Sequence, residues 1–200
     1  MSKRIIGMVS LVVTASVFAL ASQSVEANPD AQAITSRSGA VEQNGAQRGS
    51  CHEIIINATP EAVYKAIIQL REESQDSVKQ LSHEANHYVL EETFPGLPFV
   101  GEVKCVYKEV YTPFSRIEYS LVRSARFRAF EGRWLLRPID DGAATRLSLS
   151  SYVDVDIAIP FAKQITKVQT SFAVKERLQE VKQTCEKMRV ARAKSRSVTQ

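Results

Sequence analysis

The spacing of apolar residues changes twice along the chain, and each change marks a different kind of element. Residues 52–57 contain a run of three isoleucines and predict a strand. Thr59 and Pro60 then form a helix start, and apolar residues recur at helical spacing from Ala62 to Leu70. After residue 80 the apolar period becomes two, which predicts antiparallel strands at 80–85, 87–93, 101–111, 116–122, 128–138 and 144–157.

Turn residues separate these strands, and a long helix follows the last one. Turns are expected at Phe94-Pro95-Gly96, at Thr112-Pro113, around Ser124 and at Asp140-Asp141-Gly142. Pro160 opens the helix, whose apolar residues are spaced mostly three and four apart and predict one stripe against the sheet. The residues of that stripe are Ile165, Val168, Phe172, Leu178, Val181, Cys185 and Met188.

This order of elements predicts an α+β fold of the helix-grip kind, in which a curved antiparallel sheet wraps around a long C-terminal helix. Such a layout leaves a cavity between the sheet and the helix. The predicted domain covers residues 51–188. Residues 28–50 are rich in small and polar side chains and are expected to be a disordered leader, and residues 189–200 are expected to be a frayed basic tail.

The first residues have the pattern of a secretory signal peptide. Lys3 and Arg4 precede an apolar run over residues 5–21, which has the length of a signal core and is slightly short for a membrane span. Cleavage is predicted after Ala27, so that residues 1–27 are removed, with Ala21 as the alternative site. We therefore expect an exported bacterial protein that is periplasmic or secreted. The alternative is that the segment is not cleaved and serves as an N-terminal anchor.

The charge of the chain is concentrated at its C-terminal end. From Lys175 onward eight basic residues stand against three acidic ones, so the rest of the chain is nearly neutral although the net charge is +4. A neutral domain lacks the basic face that nucleic acid requires, and no nucleic-acid partner is expected. The segment from Lys187 to Arg196 carries five positive charges and no negative one, and weak contact with an anionic membrane is one hypothesis for it.

The three cysteines, Cys51, Cys105 and Cys185, lack the paired spacing of a zinc site, and no metal or cofactor is expected. Cys105 lies in a strand pattern and is interpreted as a buried structural thiol. Cys51 and Cys185 lie at opposite ends of the domain, and whether they form a disulfide stays open.

Five short segments in this order resemble the START-like superfamily, which includes polyketide cyclases, aromatases and coenzyme Q-binding proteins. The similar segments are residues 56–64, with an Ala-x-Pro-x-x-Val helix opening, residues 130–138, Asp141-Gly142, Thr145-Arg146-Leu147 and Ile159-Pro160. The resemblance implies a helix-grip domain that encloses a pocket for a hydrophobic small molecule. It does not imply one activity, because this superfamily carries lipids, quinones, hormones and polyketides.

Strand alternation indicates which side chains face the expected cavity. The inward set is mostly apolar, with tyrosine and serine hydroxyls as exceptions, and such a lining suits an apolar ligand with one or two polar groups. The alternative is that these residues fill a core without a cavity. The predicted lining residues are Val103, Tyr107, Tyr119, Leu121, Phe130, Trp134, Leu149, Ser151, Val153, Ile165, Val168 and Phe172.

No catalytic residue is assigned from the sequence. His52, His83 and His87 share no predicted inward face with an aspartate or serine, and they are interpreted as surface residues. Glu92 and Glu109 fall on or near inward positions, where either would be a cavity carboxylate, but solvated strand ends are the alternative.

The favoured hypothesis is an exported, non-enzymatic carrier of a hydrophobic small molecule such as a lipid, isoprenoid, quinone or pigment. A second hypothesis is a cyclase/aromatase-like enzyme that uses Tyr107, Tyr119 or an inward glutamate to move protons. A third is an adaptor without a cavity that binds a partner or a membrane surface.

Overall fold

A computed structural model describes residues 49–74, 77–97, 101–156, 158 and 160–198 of the 200-residue chain. The predicted signal peptide and nearly all of the predicted leader lie outside these described residues. The helices and strands are β1 (Ser50–Ile56), α1 (Pro60–Glu73), β2 (Val78–Glu84), β3 (His87–Leu97), β4 (Gly101–Thr112), β5 (Arg116–Ser124), β6 (Phe127–Ile139), β7 (Ala144–Val155) and α2 (Ala162–Val198).

Seven strands form one antiparallel sheet in the order β1-β7-β6-β5-β4-β3-β2. The sheet is curved and does not close into a barrel, and α2 packs against β7, β1 and α1. Strands β2 to β7 follow one another as hairpins. The last strand, β7, also pairs with β1, with Ser50 opposite Ser151 and Ile56 opposite Thr145. The predicted α+β helix-grip fold is confirmed.

Helix α1 begins where its sequence predicts. The Thr59 hydroxyl accepts a hydrogen bond from the backbone N–H of Ala62, at 3.3 Å, and Pro60 occupies the first helical position, where its missing N–H costs nothing. The buried face of the helix consists of Val63, Ala66, Ile67 and Leu70, which are the apolar residues at helical spacing. This face closes one side of the core.

Aromatic rings fill the middle of the core between the sheet and the helices. Tyr107 and Tyr119 pack edge-on at a centroid distance of 6.4 Å, and Phe130 lies 5.2 Å from Tyr107 and 5.1 Å from Tyr119. Phe94 adds a further edge-on contact to Phe130 at 5.8 Å. Because the strands curve, side chains from β3 to β6 converge on one cluster.

The ends of two elements differ from the sequence expectation. The turn predicted at Phe94-Pro95-Gly96 is wrong, because β3 continues to Leu97, with an irregularity in its pairing to β4 between Phe94 and Leu97. Helix α2 begins at Ala162 rather than at Pro160, because Phe161 takes a left-handed backbone conformation with φ of 61°. At its other end α2 is helical through Val198, so the expected fraying after Met188 is also not found.

The apolar stripe predicted along α2 is split between two faces of the helix. Leu178, Val181 and Cys185 are buried, but Ile165, Val168 and Phe172 are 45%, 70% and 68% exposed and do not line a cavity. The reason is that Leu178 lies six positions after Phe172. In a helix with 3.6 residues per turn, this step rotates the stripe by about 120° around the helix axis. The residues that face the sheet in the first half of α2 are Thr166, Thr170, Ala173 and Val174.

Two valines on opposite sides of α2 provide a direct check of this orientation. Val174→Ala is expected to lower the free energy of unfolding by about 1–3 kcal/mol, because it removes two buried methyl groups and leaves a small void. Val168→Ala is expected to stay within about 0.5 kcal/mol of the wild type, because that side chain is in solvent. Urea denaturation of both variants measures the two values, and equal losses would contradict the orientation.

Candidate functional site

A cleft of about 210 Å³ opens between β7, the start of β1 and the first turns of α2. Ser151, Val153 and Val155 contribute from β7, and Thr166 and Thr170 face them from α2. Two lysines of α2 and one aspartate of β7 also line this cleft, namely Lys163, Lys167 and Asp154. The cleft is therefore mixed in character, with apolar side chains among hydroxyls and charged groups.

Two smaller spaces lie further along the underside of α2. The first, of about 20 Å³, shares Ser151 and Thr170 with the cleft. The second, of about 10 Å³, shares Trp134 and Arg177 with the first and is closed by Arg71 and residues of α1. The shared residues place the three spaces in a row that begins at the cleft and ends between α1 and α2.

The side chains along this row include hydrogen-bonding groups without partners. Trp134 Nε1, Thr170 Oγ1 and Arg177 Nη2 are buried and make no hydrogen bond to any residue that the structure describes. The three residues are 3%, 4% and 7% exposed. Most buried polar groups in proteins are paired, because an unpaired one costs about 1–3 kcal/mol. Three such groups around one set of spaces mark it as a candidate ligand site.

Tyr119 and Ser151 meet across the backbone of Gly132. Gly132 pairs with Tyr119 of β5 on one side and with Ser151 of β7 on the other. Burial raises the pKa of the Tyr119 phenol, and its hydrogen bond with Ser151 partly offsets that rise. The phenol is therefore neutral at physiological pH and serves as a hydrogen-bonding group rather than as a base.

Two carboxylates are buried within the core. Tyr107 donates a hydrogen bond to Glu92 Oε2 at 3.1 Å, and Tyr111 donates one to Glu109 Oε2. Glu92 and Glu109 are almost completely buried, so their expected alternative position in solvent at strand ends is wrong. Burial raises the pKa of Glu109 to about 7, against the opposing effects of the Tyr111 hydrogen bond and the nearby Arg71 charge.

Arg71 lies between Glu109 and the innermost space. Its guanidinium carbon lies 4.8 Å from the ring centre of Tyr88 and 5.7 Å from that of Tyr111, which hydrogen-bonds Glu109. The same side chain lines the 10 Å³ space beside Trp134 and Arg177. Two arginines and one tryptophan therefore line the inner end of the row, together with apolar side chains of α1 and α2.

The structure brings together only part of the lining set expected from the sequence. Tyr119, Trp134, Leu149 and Ser151 line the 20 Å³ space, and Val153 lines the cleft. Four of the other expected residues belong to the core or pack against it, namely Val103, Tyr107, Leu121 and Phe130. As described above, Ile165, Val168 and Phe172 face solvent, because the stripe turns around the helix.

Sequence reasoning missed Arg71, Thr170 and Arg177. A signal for Arg177 was present, because it lies four residues after Ala173 and four before Val181, in the middle of the buried face of α2. A charged residue at such a position is rarely buried without a partner or a function. The predicted stripe passes through Phe172 instead, and Arg177 does not lie on the face that Phe172 occupies.

The histidines and cysteines do not line any of these three spaces. His52 Nε2 lies 2.8 Å from Ser171 Oγ of α2, and burial followed by the Lys175 charge lowers its pKa. His83 contacts the backbone oxygen of Ala85 at 2.7 Å and stacks on Tyr88. Cys51, Cys105 and Cys185 are free thiols, and Cys105 is buried as expected. Among the described residues, no group of three or more histidine, cysteine or acidic side chains is arranged to hold a metal ion.

Comparisons with known proteins identify the fold. The structure is similar to a protein of Thermus thermophilus, with a TM-score of 0.59 and 18% identity over 70% of this chain and 97% of that one. It also resembles a START superfamily protein of Mycobacterium smegmatis, with a TM-score of 0.54 and 13% identity over 69% of this chain and 97% of that one. A third similar structure is the Zhui aromatase/cyclase of a Streptomyces species, with a TM-score of 0.53 and 15% identity over 68% of this chain and 92% of that one.

These likenesses confirm the START-like fold that the sequence segments predicted. At such low identity they concern the fold alone. No protein-family model matches the sequence, and no curated protein matches it closely. Within the described part of the chain, the helices include none with the length and apolar character needed to span a bilayer.

Proposed function

We propose that this chain is an exported binding protein that carries a hydrophobic small molecule beneath α2. The observation that supports this proposal is the row of three spaces joined by shared residues, from the cleft at β7 to the inner end at Arg71. The space is modest, since ligand pockets commonly measure about 300–1,000 Å³.

The lining favours binding over catalysis. Leu149, Val153, Ala173 and Val174 supply apolar walls, and among the described residues Asp154 at the cleft is the only acidic one that lines these three spaces. General acid–base catalysis requires a titratable group within hydrogen-bond reach of the reacting atoms. The apolar walls instead suit a molecule whose affinity comes mainly from removing its surface from water.

The proposed location is the periplasm or the exterior of a bacterial cell. It rests on Lys3, Arg4 and the apolar run that follows them, all of which precede the described residues. The mass of the protein purified from its own exported fraction tests this part. We expect a chain that begins at Asn28, and a chain that retains residue 1 would indicate an N-terminal anchor instead.

Native mass spectrometry of that exported fraction, with organic extraction of bound material, tests the carrier function. We expect a co-purifying apolar molecule that is lost in Trp134→Ala, because the change removes the aromatic side chain that lines both inner spaces. Tyr119→Ala removes the aromatic ring that lines the 20 Å³ space, and this variant is also expected to lose the cargo.

Phe172→Ala is the matched control, because this residue lies on the solvent side of the same helix and its variant is expected to keep the cargo. A cargo-free mass that persists after incubation with a lipid extract would contradict the carrier function. That result would favour an adaptor instead.

A cyclase-like enzyme is the second candidate, and one observation favours it. Glu109 is a buried carboxyl with a pKa of about 7, and its Oε1 atom has no hydrogen-bond partner among the described residues. A group with this pKa is able to accept and return protons near neutral pH. Deuterium uptake from solvent at the carbons beside the ketone of 2-octanone, followed by NMR, tests this activity. Acceleration by the wild type but not by Glu109→Gln would support the enzyme.

The third candidate function is an adaptor, and for it we propose that the basic end of α2 contacts an anionic membrane. Lys187 and Arg189 are exposed, as such contact would require. Sedimentation with phosphatidylserine vesicles tests this contact, which should disappear at high salt if it is electrostatic.

A further inference from the structure

We propose that the carried molecule is an apolar carboxylic acid, and that its carboxylate binds between Arg177 and Trp134, at the inner end of the row of spaces beneath α2. This inference rests on the proposed carrier function and specifies the ligand class. It also assigns an orientation, in which the carboxylate enters first and the apolar part lies toward the cleft.

The first argument is that the unpaired groups of Arg177 and Trp134 are donors. A guanidinium and an indole N–H donate hydrogen bonds and accept none, so only an acceptor satisfies them. Arg177 Nη1 already donates to Glu180 Oε2 at 3.0 Å, whereas its Nη2 and the Nε1 of Trp134 have no partner among the described residues. Both side chains line the same two inner spaces. A group with two acceptor oxygens would complete both.

The second argument is charge. Arg71 and Arg177 line the same 10 Å³ space, and the Nε of Arg71 also has no partner among the described residues. Glu180 pairs with Arg177, and the buried Glu109 near Arg71 has a pKa raised to about 7. Glu92 is a further buried carboxyl of this region and accepts a hydrogen bond from Tyr107. Two guanidinium groups nevertheless line one small buried space, where an anion is bound more strongly than in water.

The third argument is the arrangement of size and polarity along the row. The spaces beside Arg177 measure only about 20 and 10 Å³, so they have room for a small polar group such as a carboxylate and not for an apolar chain as well. Leu149 and Val174 line the 20 Å³ space, and Val153 lines the cleft, where it lies among hydroxyls and charged groups. An apolar chain attached to the carboxylate would extend past these residues toward the cleft. Paired guanidinium–carboxylate contacts are also among the stronger hydrogen bonds in proteins.

Octanoate and 1-octanol are the probes, because they share an apolar chain and differ in charge. Trp134 is the only tryptophan of the chain, so its fluorescence reports binding at the proposed position. We expect octanoate to bind at least about tenfold more tightly than 1-octanol at neutral pH, which corresponds to one charge-assisted hydrogen bond. We expect Arg177→Met to remove this preference while 1-octanol still binds.

Two further variants keep the test decisive if Arg177→Met does not fold. Glu180→Gln leaves Arg177 in place and removes its competing charge, so octanoate should bind as tightly or more tightly. Trp134→Phe keeps an aromatic ring without the N–H and should weaken octanoate binding in calorimetry more than 1-octanol binding. Arg189→Met is the matched control, because Arg189 is exposed on the same helix and its loss should change neither affinity.

The outcomes separate this inference from the function on which it rests. Equal binding of octanoate and 1-octanol, unchanged in Arg177→Met and Glu180→Gln, would overturn the carboxylate site while the carrier function stands. In that case a water molecule satisfies the unpaired donors. Binding of neither probe, together with a cargo-free native mass, would overturn the carrier function itself.

Discussion

Gly132→Ala is expected to lower the free energy of unfolding by about 3 kcal/mol or more, which is a large part of the stability of a single domain. A Cβ atom at this position would lie 2.3 Å from the backbone oxygen of Ser150 and 2.3 Å from Oη of Tyr119. The tyrosine ring can move away, but the oxygen of β7 moves only if the pairing of β6 with β7 is disturbed. Urea denaturation followed by the fluorescence of Trp134 measures the loss.

Gly142→Ala is the control for this substitution. Gly142 has a φ of 86°, so alanine is strained there, but an added Cβ would meet no atom within 4 Å. Its expected cost is only about 1 kcal/mol, from the left-handed conformation alone. In a double-mutant cycle, the cost of Gly132→Ala should be only partly smaller in a Tyr119→Ala background, because the contact with Ser150 remains. Similar losses for the two glycine variants would contradict the close approach at Gly132.

Replacing Glu109 by glutamine is expected to change how stability depends on pH. The folded protein raises the pKa of this carboxyl from 4.5 to about 7, so it holds the proton more tightly than the unfolded chain does. This contribution to stability is complete below pH 4.5 and is lost as the pH rises through about 7. The free energy of unfolding of Glu109→Gln, relative to wild type, should therefore rise by about 3 kcal/mol between pH 4.5 and 8.

Chemical denaturation of both proteins across this pH range measures the difference. Burial also raises the pKa of Glu180 and lowers the pKa of His52. Their effects are common to both proteins and cancel in the comparison. Glu118→Gln removes a surface glutamate near Arg116 and serves as the control for the substitution itself. Parallel profiles for wild type and Glu109→Gln would show that Glu109 ionises normally.

The elements of this fold that depend on local interactions were predictable from the sequence. Thr59 and Pro60 mark the start of α1 because a cap hydroxyl and a proline act within one turn of the helix. Alternation correctly placed Tyr119, Trp134, Leu149 and Ser151 on the inner face of the sheet, since successive side chains of a strand point to opposite faces. The order of these elements, with the similar segments, was enough for the helix-grip fold.

Features that depend on how two elements meet were not predictable in this way. Phe172 and Val174 are both apolar residues of α2, and only the packing of the helix on β7 and β1 decides that Val174 is buried and Phe172 is exposed. Glu109 lies on an inward position of β4, but its surroundings depend on Tyr111, which hydrogen-bonds it and packs against Tyr64 of α1 and Tyr88 of β3.

The sequence by itself therefore determined the succession of strands and helices and the inner face of each strand, because these follow from the backbone period and from contacts within a few residues. The tertiary structure decided which face of α2 meets the sheet, and it gathered Arg71, Trp134 and Arg177 around one space. These residues come from α1, β6 and α2, more than one hundred positions apart at the extremes. Their proximity follows from sheet curvature and from the angle at which the helices pack, and no local pattern in the chain encodes either one.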